Sequence, residues 1–144
     1  MATLLPETMV RCIGKVLEQH PPIALAYLYG STARGRTTTF SDVDIALMLF
    51  ENSITPLERL RFELMIEDVL AADCQLSNAD VHVINDAPLV VQGQVLTDGQ
   101  LLFSRDEAFR IDFEVYTRLQ YFDFLSFAKS HREVFFEQPL REGL

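Results

Sequence analysis

The chain has 144 residues, 49% hydrophobic and 23% charged, with a net charge of −9. That length fits one domain able to bury roughly 70% of the surface its unfolded form exposes, and the composition excludes a disordered or low-complexity chain. Only two lysines are present, Lys15 and Lys129, and so acidic a surface disfavours direct binding to nucleic-acid phosphates.

Taken in chain order, Pro6 to about Gln19 reads as a helix, because Met9, Ile13, Val16 and Leu17 recur at helical spacing before Pro21 and Pro22 stop it. Ile23 to Tyr29 is a compact apolar strand ending at Gly30, and a polar loop follows. Asp42 to Phe50 begins with alternation and becomes continuously apolar, as a strand covered on both faces does. Thr55-Pro56-Leu57-Glu58 is a capping box that opens a helix to about Ala72. On that helix Glu58, Glu63, Glu67 and Asp68 read as a solvated face. Asp80 to Ile84 is a third strand, 88–97 a short helix, Asp98-Gly99 a turn, and Gln100 to Phe103 a brief extended piece. Ser104-Arg105-Asp106-Glu107 reads as a second capping box, opening a long helix to about Glu137. That helix, with Phe103 at its threshold, holds ten of the fifteen aromatics. Core packing is the expected use of the Phe109–Phe127 stripe, with a partner surface as the alternative. The pattern predicts an α/β (α+β) fold, with a small mixed β-sheet packed with helices and a long C-terminal helix.

No apolar run approaches the ~18–20 residues of a membrane span, and the N-terminus lacks the features of a signal peptide. A cytoplasmic location without membrane contact is expected. Cys12 and Cys74 have no metal-type spacing and are expected as unpaired thiols in a reducing compartment.

The chemistry-bearing segment is Gly30-Ser31, a ten-residue loop, then Asp42-Val43-Asp44. Carboxylates at i and i+2 on a strand share a face, with Cα atoms about 6.5 Å apart. That spacing suits a pair of divalent ions ~3.5–4 Å apart, and Mg²⁺ commonly shares such oxygen ligands with substrate phosphates. Gly30 lets a backbone approach a ligand. Ser31 offers a hydroxyl and an N–H at a helix start, which attracts anions. Arg34 and Arg36 in the same loop can meet phosphate oxygens. On these residues the chain resembles the DNA polymerase beta-type nucleotidyltransferase superfamily, with GSTARGRTTTFSDVDIAL as its Gly-Ser…Asp-x-Asp signature. More narrowly it resembles the minimal nucleotidyltransferases that act as antitoxins to HEPN-domain RNase toxins.

The resemblance implies a polymerase beta-like nucleotidyltransferase fold over 1–144, with a core of 1–104 carrying the site and 105–144 as the C-terminal helix. It implies ATP as co-substrate and two Mg²⁺ ions on Asp42, Asp44 and a third carboxylate, for which Asp80 is the matching position. Gly30, Ser31, Arg34 and Arg36 would bind the nucleotide, and the acceptor would be a tyrosine of the cognate HEPN toxin, held in a hetero-oligomer. His82 shares the face of Asp80, and contact with nucleotide or partner stands open beside a structural role. The rival readings are an aminoglycoside-type nucleotidyltransferase, for which the chain leaves little room, a binding-only antitoxin, and an RNA-tailing enzyme, which the charge disfavours.

Overall fold

In the computed structural model, residues 5–30 and 42–131 are described. A four-stranded sheet carries the site. Ile23–Tyr29 (β1) pairs antiparallel with Val43–Leu49 (β2) on one side and with Gln100–Ser104 (β4) on the other. Ala79–Val83 (β3) joins β2 in parallel, so the strand order is β3-β2-β1-β4. The sheet is mixed, as expected.

β1 and β2 are almost continuously apolar because both of their faces are covered. Glu7–Glu18 (α1) and Pro56–Cys74 (α2) supply Ile13, Leu17, Ile66 and Leu70 to a cluster with Leu28, Ile45, Leu47 and Val81. On the opposite face, Leu89–Asp98 (α3) and Glu107–Ser130 (α4) cover Leu25, Tyr27, Ala46 and Met48 with Val95, Leu96, Phe109 and Phe113. A Cβ on Gly93 of α3 would collide with the Tyr121 ring, so the missing side chain lets α4 lie close. No described helix is long and apolar enough to cross a membrane.

The α2 capping box forms as its sequence predicts. The Glu58 N–H donates to Thr55 Oγ1 at 3.1 Å, and the Thr55 N–H donates to Glu58 Oε1 at 2.9 Å. The helix runs two residues past Ala72, to Cys74, and closes on Gln75 in the left-handed region at φ 52°.

Four expectations need correction. Glu63 and Glu67 do not merely face solvent. Glu63 accepts from the Val83 N–H at 2.8 Å and Glu67 from the Val81 N–H at 2.9 Å. β3 is an edge strand whose outward N–H groups would otherwise lack partners, and the two carboxylates take the place of a fifth strand. Cys12 and Cys74 are not unpaired thiols. They form a disulfide that ties α1 to the end of α2, with Cα atoms 5.9 Å apart. The cap of α4 is Asp106 rather than Ser104: its carboxylate accepts from the N–H groups of Ala108 and Phe109, while Ser104 closes β4 and donates to Glu107. Finally, much of the aromatic-rich helix is not core. Phe109 and Phe113 pack on the sheet, but Tyr116, Phe122 and Phe127 are exposed, beside Ile111, Val115 and Leu119. The expected extension of α4 to Glu137 reaches outside the described residues.

Candidate active site

At the end of β1 the chain turns through Gly30 at φ +73°. A side chain there would meet two obstacles. The left-handed backbone disfavours any Cβ, and a Cβ would collide with Asp44 Oδ2 and stand 3.2 Å from Asp44 Cγ. Glycine is therefore what lets the β1 terminus and the Asp44 carboxylate occupy adjoining space.

The sheet register sets three polar residues in a row. Tyr29 of β1 pairs with Asp44 of β2, and Asp44 pairs with Asp80 of β3. Residues paired in register point to the same face, so the row crosses the α3–α4 side of the sheet at the carboxyl end of β1. Asp42 immediately precedes β2 and is exposed. His82, two residues beyond Asp80, lies on the same face, with Nε2 3.0 Å from Asp80 Oδ1. Ser31, Arg34 and Arg36 lie outside the described residues.

The electrostatics reflect concentrated negative charge. Burial raises the Asp44 carboxyl above its ordinary range, the charges of Asp80 and Asp42 raise it further, and His82 opposes them. Burial also pushes the Tyr29 hydroxyl up to about 12, with Asp44, Asp80 and Glu63 adding to the effect, so it stays a neutral phenol at physiological pH. Like charges held close disfavour ionisation unless a cation joins them. A divalent ion fits this donor set, which is all oxygen and short of positive charge. Among the described residues no three His, Cys, Asp or Glu side chains form a ready-made cage. An oxygen-seeking ion bound by one or two carboxylates and completed by substrate phosphates needs none.

Residues 12–108 match the family described as Polymerase beta, Nucleotidyltransferase. The chain belongs to the polymerase beta nucleotidyltransferase family. Among solved structures, this nucleotidyltransferase is similar to a chain from a toxin–antitoxin determined with AMP-PNP, at 25% identity and a TM-score of 0.65, covering 90% of this chain and 97% of that one. A chain from a variant of the MntA–HpeT toxin–antitoxin is likewise 25% identical, with a TM-score of 0.63 over 90% of this chain and 96% of that one. A chain from the Shewanella oneidensis complex of tri-AMPylated HEPN toxin with MNT antitoxin shares the fold, at 22% identity and a TM-score of 0.61 over 88% and 95%. No curated protein sequence matches the nucleotidyltransferase significantly.

Sequence reasoning missed Tyr29 as a member of the site. Its one signal was the position directly before Gly30, and only the register of β1 against β2 sets it beside Asp44.

Proposed function

We propose that this nucleotidyltransferase is an antitoxin that transfers AMP from ATP to a tyrosine hydroxyl of a cognate HEPN-domain RNase, silencing it. The observation that carries the reading is the near end-to-end likeness to a chain solved as a toxin–antitoxin with AMP-PNP. The tri-AMPylated toxin of the Shewanella oneidensis complex supports the choice of acceptor. In this reading residues 1–144 act as one domain and the protein works in the cytoplasm beside its RNase partner, a location that requires the Cys12–Cys74 disulfide to survive a reducing environment.

The residues divide the work. Gly30 and Ser31 cradle the β- and γ-phosphates, and Arg34 and Arg36 contact phosphate oxygens. Asp42, Asp44 and Asp80 would hold two Mg²⁺ ions, which would supply positive charge to the triphosphate and to the pyrophosphate leaving group. The tyrosine oxygen forms a bond to the α-phosphorus. The bond from that phosphorus to the α–β bridging oxygen breaks, and pyrophosphate leaves. Asp80, at the β3 edge, takes the tyrosine proton, and His82 orients its carboxylate through the 3.0 Å contact. The contribution of the protein is positioning and electrostatic stabilisation.

The test is to incubate the purified protein, ATP and Mg²⁺ with the HEPN protein encoded beside it, then to map modifications by mass spectrometry. AMP on tyrosine is expected, with aminoglycosides unmodified in parallel. A modified antibiotic beside an unmodified protein would favour the small-molecule reading. Full toxin neutralisation without ATP by an Asp42→Asn/Asp44→Asn variant would favour a binding-only antitoxin.

A further inference from the structure

A cavity of about 370 Å³ opens on the α3–α4 side of the sheet, at the end of β2 away from the Asp44 row. Met48 and Asn52 mark that end, and Asn85 follows β3. Met48 lies about 13 Å along the strand from Asp44 at ordinary strand rise, so the cavity is separate from the transfer site. Phe109, Phe113 and Tyr116 of α4 form its aromatic wall.

Two of the amides at this cavity have no hydrogen left to give. Asn85 donates to the Leu49 carbonyl at 2.8 Å and to Asn52 Oδ1 at 2.6 Å. Gln92 donates to the Ile84 and Asn85 carbonyls at 2.7 and 3.3 Å. Asp112 adds a carboxylate at the exposed edge, and an ionised carboxylate only accepts. The arginines nearest to it on α4, Arg110 and Arg118, are taken by Glu107 and Glu114. Among the described residues Asp112 has no ion-pair partner. An uncommitted carboxylate beside aromatic rings suits a cation that carries N–H groups, such as an arginine or lysine side chain.

The outward face of α4 continues from Asp112 and Tyr116. Val115, Leu119 and Phe122 follow at spacings of three and four residues and are exposed, so they form one apolar stripe. Helix α2 also exposes Leu57, Leu60 and Leu64, but it covers the side of the sheet away from Asp44 and Asp80. A protein that presents a tyrosine to that row docks on the α4 side. A second copy is a poor occupant, because each copy carries a net charge of −9 and the same uncommitted Asp112. An RNase has to hold RNA phosphates and so carries basic surface, which supplies the missing cation.

We infer that the Val115–Phe122 face of α4 docks the HEPN-domain RNase, and that the cavity beside Asp112 receives an arginine or lysine side chain of that partner. The inference rests on the antitoxin reading above and adds to it the surface that holds the partner.

Equilibrium binding to the HEPN protein encoded beside this chain tests it, with ATP affinity as the control for folding. Leu119 is 60% exposed, and Asp112 is exposed as well, so neither substitution disturbs the core. Leu119→Asp and Asp112→Lys should each weaken the partner about tenfold and leave ATP affinity unchanged. Leu64→Asp, the same kind of change on α2, should alter neither. In transfer assays Asp112→Lys should raise KM for the protein acceptor about tenfold and keep kcat, as loss of uniform binding does. Wild-type partner affinity in both Leu119→Asp and Asp112→Lys, or a loss confined to Leu64→Asp, would overturn the assignment. So would a wild type that dimerises through this face, with the dimer lost in Leu119→Asp. If the wild type neither binds nor modifies the neighbour, the antitoxin reading itself fails, and the docking face with it. Transfer with an unchanged KM in all three variants sinks the docking face alone.

Discussion

Asp44 and Asp80 stand opposite one another in the parallel register of β2 and β3, although 35 residues and a whole helix separate them along the chain. Burial raises the Asp44 carboxyl, and the charge of Asp80 adds to that effect. Replacing Asp44 by asparagine should leave metal-free stability unchanged or slightly higher, by up to about 1 kcal/mol, while removing Mg²⁺-dependent stabilisation by ATP. Paired thermal melts with and without ATP and Mg²⁺ check both halves. A large loss of metal-free stability would mean that the carboxylate is structural.

Gly30 gives a sharper local test. Gly30→Ala must force a Cβ into the left-handed region and against the Asp44 carboxylate. The backbone term alone costs roughly 1–2 kcal/mol. Chemical denaturation should register at least that loss, and ATP binding should fall because Asp44 is displaced. An alanine variant with wild-type stability and binding would contradict the geometry of this turn.

Glu114 carries a pH dependence. It accepts from the Tyr27 hydroxyl at 2.7 Å and pairs with Arg110 and Arg118 at 3.2 and 3.0 Å. Burial alone would raise its carboxyl, but Tyr27 and the two arginines outweigh burial and hold it below the ordinary value of 4.5. A carboxylate depressed on folding stabilises the native state above its unfolded value, and that contribution is lost as pH falls through the folded value. Glu114→Gln should therefore be less stable than wild type near neutrality, by about 2 kcal/mol. The gap should close as pH falls below about 4.5. A gap that widens on acidification would reverse the sign of the argument.

The edge of β3 depends on Glu63 and Glu67. Replacing both by alanine strips the partners from the N–H groups of Val83 and Val81. A loss of about 2 kcal/mol in urea denaturation is expected, with concentration-dependent association through the opened edge measurable by light scattering. A double variant as stable and monodisperse as the parent would show the two contacts to be incidental.

These contacts mark where the sequence stopped being legible. The Thr55–Glu58 capping box could be read because its partners are three residues apart. The apolar runs of β1 and β2 announced strands with two covered faces. Glu63 and Glu67 looked like solvated charge because nothing local reveals that β3 is an edge strand at reach. Ser104 and Asp106 both suit a helix cap. Only the length of β4, which absorbs Ser104 into the sheet, chooses between them. Within the site, the glycine and the Asp-x-Asp pair were visible from their order along the chain. The opposition of Asp44 and Asp80 was not, because a parallel pairing across an intervening helix leaves no fixed spacing to count. The disulfide was hidden for the same reason: Cys12 and Cys74 meet only because α1 and α2 pack side by side.

That disulfide closes a loop with a sequence separation of 62 residues, for which chain entropy predicts about 4 kcal/mol of stabilisation. Thiol titration of the denatured, unreduced protein should find no reactive thiol, and reduction should release two and lower the melting temperature. Two reactive thiols before reduction would contradict the pairing.

Nucleotidyl transfer at the row formed by Asp44 and Asp80 is the chemistry proposed for this chain. It is tested most directly by ATP labelled at either the α- or the γ-phosphate, with Mg²⁺ and the HEPN protein encoded beside this chain. Stable label is expected on that protein from α-labelled ATP and none from γ-labelled ATP, with the label lost in Asp42→Asn/Asp44→Asn. Label from the γ-phosphate, or equal α-label with the double variant, would contradict it.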